Sequence, residues 1–373
     1  MELKDLAKRY GDEIERRKRR LRDFWKGKDI GRPPLSFVPY SLEPRQIFDD
    51  ANLQFEKAAR YFSMIMELPG DNVPVFWPDM GTISLVSVFG GELIKESDGQ
   101  NQWIKPAFSS LEDVRNLEPP DVMSGLVKEE FDRCRRWRDI TDGFGYVAPP
   151  DIQGPVGNAI LAIKQEEFFI GMYTEPELAH KLLRLCTNVI LEVLSVYRKE
   201  FGDSFIPVTW PYVWIPDGMG ISLTQDSLPL LSPRLYREFE LPYVKEIARK
   251  TGGVFMHCCG QFEHSLEEIK EIPGLIGIDP SYPLSRIEKI IEVLGKDIVI
   301  TPGLNSKGID EFPSYDRYVE HLIKTLPADV RLWYILPADN PEEYFDVSAA
   351  IATLKLLGLN HILEEYQEVI SKC

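Results

Sequence analysis

The chain has 373 residues, 59 of them acidic against 43 basic, for a formal net charge of −16. That balance excludes nucleic acid as the main partner, because neutralising phosphates needs a basic surface. The length admits two domains or one large α/β barrel. The five cysteines are odd in number and irregularly spaced, which argues against a secreted disulfide framework and for a reducing cytoplasm. Met1–Asp5 lacks the apolar core of a signal peptide, and no apolar run reaches the ~20 residues that span a bilayer. A cytoplasmic protein away from the membrane is expected.

Along the chain, an N-terminal helical extension (1–30) carries the basic run Arg16-Arg17-Lys18-Arg19-Arg20-Leu21-Arg22. It reads as the solvated face of a first helix, with a docking patch for an acidic partner as the sharper alternative. Short apolar, β-branched and aromatic runs follow at Leu35–Tyr40, Val73–Trp77, Gly145–Ala148, Ile206–Tyr212, Gly253–His257, Leu275–Ile278, Ile298–Thr301 and Arg331–Leu336. Each has the length and bias of a buried strand. Amphipathic stretches lie between most of them. Glu175–Tyr197 has Thr174 as its candidate N-cap, and Pro233–Thr251 starts after Ser232 and stops at Gly252-Gly253. Leu284–Gly295, Tyr315–Leu326 and Asp346–Gly358 complete the rhythm. Eight strands alternating with helices predict an α/β fold, a closed parallel (β/α)8 TIM barrel, in a single domain over 1–373. The long interval 78–143 after the second strand is read as an insertion holding a hairpin around Ser97-Asp98-Gly99-Gln100.

A barrel gathers its chemistry where strands end. The segments leaving the strands are Trp77-Pro78-Asp79, Asp151-Ile152-Gln153, Trp210-Pro211-Tyr212-Val213-Trp214 and His257-Cys258-Cys259-Gly260. Asp279-Pro280-Ser281-Tyr282, Pro302-Gly303-Leu304-Asn305 and Pro337-Ala338-Asp339 follow. Asp79, Asp279 and Asp339 could each be a helix cap, but their joint placement on one rim points to a site. His257 and Cys259 are the sharpest signal. Alternate residues of an extended segment share a face, and a neutral imidazole with a thiolate suits zinc. The plain alternative is a packed histidine among reduced core cysteines.

Five segments carry a resemblance: Pro74–Gly81, Gln153–Gly157, Thr174–Glu177, Asp226–Pro233 and Met256–Gly260. On them the chain resembles the uroporphyrinogen decarboxylase superfamily over roughly residues 30 to 365, with the barrel fold that this implies. The Arg-Gln-Ala-Gly-Arg segment and late Gly-His-Gly of the decarboxylases are replaced here by Tyr40–Gln46 and Pro337-Ala338-Asp339. The rim also shows mostly acids and aromatics, unsuited to a porphyrinogen bearing eight carboxylates. The cobamide-dependent methyltransferase branch is closer in type. Its zinc is held by His-x-Cys and a later Cys; His257 and Cys259 match the first two positions, but the third has no cysteine here, leaving oxygen ligation by Asp339, recruitment of Cys258 or loss of the metal as the alternatives.

The resemblance implies a zinc-dependent methyltransferase moving a methyl group between a corrinoid protein and a small thiol or methylated substrate. The expected partners are that small molecule and the corrinoid-binding protein, and a homodimer is compatible with the pattern. His257, Cys259 and Asp339 are the expected metal ligands, with Asp339 favouring an oxygen- or nitrogen-bearing substrate. Asp79, Asp226 and Tyr212 are the candidate catalytic residues; Gln153, Trp214 and Asn305 are the candidate cofactor contacts. Two alternatives stay open: a metal-independent decarboxylase or lyase using Asp79 and Asp226, and a non-catalytic corrinoid or small-molecule binding barrel.

Overall fold

The computed structural model describes residues 5–95, 102–208, 210, 213–304, 308, 310–341 and 345–372. Helix α1 (Asp5–Trp25) is followed by β1 (Leu35–Val38), α2 (Ala51–Glu67) and β2 (Val75–Phe76). Then come β3 (Leu93–Lys95), β4 (Gln102–Ile104), α3 (Gly125–Ile140) and β5 (Tyr146–Val147). Three helices in succession, α4 (Pro155–Ala162), α5 (Gln165–Thr174) and α6 (Pro176–Phe201), lead to β6 (Ile221–Thr224). Past β6 lie α7 (Pro233–Leu235), a π turn (Tyr236–Glu240), α8 (Leu241–Thr251), β7 (Val254–Cys258), α9 (Leu266–Ile269) and β8 (Leu275–Tyr282). The chain ends with α10 (Ile287–Leu294), β9 (Val299–Ile300), β10 (Gly303–Leu304), α11 (Tyr315–Thr325), β11 (Arg331–Leu332), β12 (Tyr334–Pro337), α12 (Val347–Leu356) and α13 (Asn360–Ile370).

Strands β6, β7, β8, β9 and β11 form one parallel sheet in that order, with β10 on β8; β1 pairs with β12 and β2 with β5, also in parallel. Single backbone bonds join these sheets. Ile206 N–H donates to the Val147 carbonyl at 3.0 Å, Ser222 N–H to Pro207 at 3.0 Å and Trp333 N–H to Ile300 at 2.9 Å. The β1–β2 seam differs. There the Asn72 side chain accepts from Phe37 N–H at 2.8 Å and donates to the Phe37 carbonyl at 3.0 Å. The architecture is α/β with parallel sheets, and among the described residues no ladder closes all the way round.

Two expectations need correction. The run Ile206–Tyr212 forms no strand among its described residues; only Phe205, just before it, makes an isolated bridge to Val147. The strand that pairs with β7 is instead β6, a four-residue element in which Ser222 and Thr224 interrupt the apolar residues. Thr174 closes α5 instead of capping α6, whose N-cap is Glu175. Other helix ends follow the sequence: Ser232 accepts from Leu235 N–H at 3.3 Å, and Asp346 caps α12 through Ala349 N–H at 2.9 Å. Gly252 and Gly253 have φ +91° and +151°, and a Cβ on Gly253 would lie 2.3 Å from the Gly274 carbonyl. Only glycine lets β7 start so close to the chain entering β8.

Within 78–143, β3 and β4 pair antiparallel, and the expected turn Ser97–Gln100 lies outside the described residues. Trp137 of α3 stacks on Phe76 of β2 with ring centroids 4.7 Å apart, so α3 covers that strand. No helix among the described residues is long and apolar enough to cross a membrane.

The basic run of α1 is not a purely solvated face. Tyr10, Ile14, Arg17, Leu21 and Phe24 are all buried, at helical spacing. Arg17, 3 % exposed, donates to the carbonyls of Ile65, Met66, Leu68 and Asn72 at 2.8–3.1 Å. Those at the end of α2 have no partner within their own helix, and the guanidinium supplies one. Arg20 and Arg32 close on Asp71 at 2.8 and 2.6 Å. At the end of α1, the Trp25 indole donates to the Trp214 carbonyl at 2.8 Å, and its ring meets Phe255 edge-on.

Candidate metal centre

Parallel register places Thr224 beside His257 and His257 beside Asp279, so three neighbouring strands deliver polar side chains at one level. His257 Nδ1 lies 2.6 Å from Asp279 Oδ2, and its Nε2 lies 2.9 Å from Cys259 Sγ. Asp226, just past β6, accepts the Cys259 N–H through Oδ1 at 2.8 Å. That oxygen is 3.8 Å from His257 Nε2. One donor atom each from Asp226, His257 and Cys259 thus lies within 4.8 Å of the others.

This donor set fits zinc. It offers nitrogen, sulfur and oxygen, and three protein ligands leave a position for a fourth group, as catalytic zinc sites do. A carboxylate on the second nitrogen of a ligating histidine fixes the ring and its tautomer. Asp279 has that position and is itself held: the Trp210 indole donates to it at 2.7 Å, and the Thr301 hydroxyl donates to its other oxygen. Burial works against a charged imidazole at His257, but Asp279 and Cys259 outweigh it and hold the pKa well above the ordinary histidine value. Cys258 stays out of the group. Its thiol is buried against the Gly260 carbonyl, and burial pushes it up to about 12.

The remaining expected residues fall into distinct places. Both oxygens of Asp339 are engaged by backbone, the Tyr40 N–H at 3.1 Å and the Ser41 N–H at 2.6 Å, and Asp226 stands in the donor group where Asp339 was expected. Gln153 is buried and donates to Asp151 at 2.7 Å; Asp151 also takes the Thr224 hydroxyl at 3.3 Å. Burial raises the Asp151 carboxyl, Gln153 opposes that, and Asp226 adds to it. Trp214 is tied to α1 through Trp25, with Arg22 over its ring at 5.6 Å. Tyr212 and Asn305 lie outside the described residues.

Asp79 sits at φ +37°, a conformation that aspartate tolerates better than most residues and that clusters at functional sites. Its Oδ1 accepts from Gly81 N–H at 2.9 Å, and Arg45 lies 3.7 Å from Oδ2. The adjacent Met80 N–H and the Ser84 hydroxyl both donate to the fully buried Glu130. Burial raises Asp79 to about 6, against the pull of Arg45. The folded chain therefore binds this proton more tightly than the unfolded chain does. Stability from this group is full below the ordinary aspartate value of 3.8 and is lost as pH rises through about 6, a cost on the order of 3 kcal/mol above that pH. Asp79→Asn is expected to raise the melting temperature at pH 8 and change it little at pH 4. An equal gain at both pH values would contradict this reading.

Several site residues were not assigned from sequence. Asp279 was visible as an acid at a strand exit, but its contact with His257 depends on cross-strand register. Arg45 and Trp210 left no local signal beyond their place at strand exits, Arg45 past the first predicted strand and Trp210 at the end of the fourth. Arg45 packs over the rings of Trp77 and Trp210 at 5.4 and 5.3 Å and pairs with Glu43 at 2.7 Å.

No curated protein sequence matches the chain. In three dimensions it is similar to a methyltransferase from Methanosarcina mazei, with a TM-score of 0.64 and 15 % identity over 92 % of this chain and 98 % of that one. Identity that low speaks to fold alone. The sequence matches the uroporphyrinogen decarboxylase (URO-D) family over residues 17–301, and family and structural neighbour together imply a TIM barrel behind the parallel pairings. With most of its length inside that match, the chain belongs to the uroporphyrinogen decarboxylase family.

Proposed function

We propose that the chain is a zinc-dependent methyltransferase that moves a methyl group between a corrinoid protein and a small substrate. The carrying observation is the convergence of Asp226, His257 and Cys259, with Asp279 on the second nitrogen of His257. The name of its structural neighbour, a methyltransferase, agrees with this reading. Zinc held by the three residues would supply Lewis acidity toward the heteroatom that carries the methyl group, or stabilise a thiolate acceptor.

The chain's own groups have separable tasks. Asp279 fixes the ring of His257 so that Nε2 faces Cys259 and Asp226. The Cys259 N–H holds the Asp226 carboxylate toward the same point. Asp79, buried and raised to about 6, keeps a fraction of its protons near neutrality and is the candidate donor to a departing oxygen or nitrogen. Around this centre the acids Glu43, Asp79, Asp151 and Asp226 crowd the rim and Arg45 is already paired with Glu43, which weighs against a polycarboxylate substrate.

Metal analysis of the purified chain tests the reading: about one zinc per chain is expected, with methyl transfer from a methylated corrinoid protein or to a reduced one. A metal-free protein with full activity overturns it. The raised carboxyl of Asp79 also favours a second reading, a metal-independent decarboxylase or lyase. Activity that survives a chelator and disappears in Asp79→Asn would establish that alternative.

A further inference from the structure

The helical stretch after the Asp226 segment contains an irregular turn. From Pro233 to Thr251 the winding is α except at Tyr236–Glu240, a π turn in which the Leu241 N–H donates to the Tyr236 carbonyl. Pro242, just past the turn, has no N–H to offer the Glu238 carbonyl, so the ordinary ladder is interrupted there. Turns of this kind are rare and, where they occur, lie frequently at functional sites.

Two buried polar side chains of the π turn, Tyr236 and Glu240, reach the surroundings of the end of β6. The Tyr236 hydroxyl donates to Gln225 Oε1 at 3.0 Å. Gln225 directly precedes Asp226, and its own N–H donates to the His257 carbonyl at 2.8 Å. Glu240 accepts the Val156 N–H through Oε2 at 2.8 Å. That amide lies in the first turn of α4, where no carbonyl of the helix can reach it. The segment entering α4 is in turn bound to β6, since the Gly154 N–H donates to the Thr224 carbonyl at 2.7 Å. Glycine is needed at 154, because a Cβ there would lie 2.4 Å from Glu240 Oε1. Glu240 therefore anchors the turn to α4 and makes the Tyr236 hydroxyl a fixed post. A phenylalanine ring would fill the same space; the hydroxyl serves the residue that leads into Asp226.

We propose that Tyr236 is a positioning residue for the metal-ligating group: through Gln225 it holds Asp226 beside His257 and Cys259. The inference rests on the zinc reading and assigns the placement of its oxygen ligand to the π turn. Tyr236→Phe removes only the hydroxyl, and zinc affinity is expected to fall about 2- to 12-fold, the worth of one hydrogen bond. Gln225→Met deletes the same bond from the other side, so adding Tyr236→Phe to it should cost little more. Tyr197→Phe is the control, because the buried Tyr197 hydroxyl has no hydrogen-bond partner among the described residues; zinc affinity should stay as it is. Amide hydrogen exchange on the metal-free chain reads the placement without the ion. The Cys259 N–H, which donates to Asp226 at 2.8 Å, should exchange faster in Tyr236→Phe and at the original rate in Tyr197→Phe. Zinc bound as tightly by Tyr236→Phe as by the unaltered chain overturns this assignment alone. An equal loss in Tyr197→Phe also overturns it, by showing a general softening of the core. A chain that takes up no zinc overturns the metal reading, and the exchange rate of Cys259 then decides the placement of Asp226 by itself. Should Tyr236→Phe fail to fold, Gln225→Met carries the same two measurements.

Discussion

Replacing His257 by alanine is expected to weaken zinc binding by more than about 100-fold, since even an outer partner of a ligand typically controls 10- to 100-fold. The loss has two sources. His257 supplies the only nitrogen in the group of Asp226, His257 and Cys259, and its ring is pre-set by Asp279 at 2.6 Å. Asp279→Asn keeps the imidazole and replaces an anionic acceptor by a neutral amide, so a smaller drop of about 10- to 100-fold is expected. Competition against a chromophoric chelator measures both. The order matters more than the sizes. If Asp279→Asn bound zinc as tightly as the unaltered chain, the carboxylate would not be orienting a ligand. If His257→Ala did so, the metal would lie elsewhere. Neither change should unfold the chain, because apolar residues such as Val254, Phe255, Met256 and Ile278 carry the packing of β7 and β8.

Arg17→Met carries the largest expected cost to stability. Methionine can fill much of the same space along α1, but it cannot donate. The carbonyls of Ile65, Met66, Leu68 and Asn72 would lose their donor in a site that is 3 % exposed at Arg17. Each buried acceptor left without a partner costs about 1–3 kcal/mol, so about 3 kcal/mol or more is expected in total, allowing for some rescue by water. For a chain of this size that corresponds to a melting temperature lower by roughly 4 °C or more. Arg19→Met, exposed and two positions from Arg17, serves as the control and should change little. Equal melting temperatures for the Arg17 and Arg19 variants would show that the buried guanidinium adds nothing to the end of α2.

The same helix shows what the sequence could and could not convey. Seven residues of nearly continuous positive charge read as a wetted face, yet position 17 falls in register with Tyr10, Ile14, Leu21 and Phe24. The spacing was legible; the destination of the charge was not, because the carbonyls it meets lie about fifty residues away in sequence. His257 and Cys259 were legible for a local reason: an apolar run ending in two ligand types at alternate positions. Asp226 and Asp339 are both acids in loop-like segments, and nothing local separates them. Their difference comes from neighbours. The backbone amides of Tyr40 and Ser41 reach Asp339, while the amide of Cys259 reaches Asp226. Strand β6 escaped notice because four residues with two hydroxyls carry too little apolar periodicity.

A ladder of peptide groups accepts almost any side chain except proline, so most boundaries between parallel strands can drift in sequence while keeping their shape. The boundary between β1 and β2 has no such latitude, since it is stitched by the carboxamide of Asn72 reaching both polar groups of Phe37. Aspartate there would lose the donor, leucine both bonds, and glutamine would overshoot. Asp71 next to Asn72 shares the task, its N–H donating to the Leu35 carbonyl at 2.7 Å and its carboxylate accepting the Leu35 N–H at 2.9 Å, so this joint rests on two adjacent side chains. Asn72 and Arg45 also line the space between β2 and the Val213–Trp214 segment, so a substitution that loosened the joint would reshape that space before it disturbed the rest of the fold.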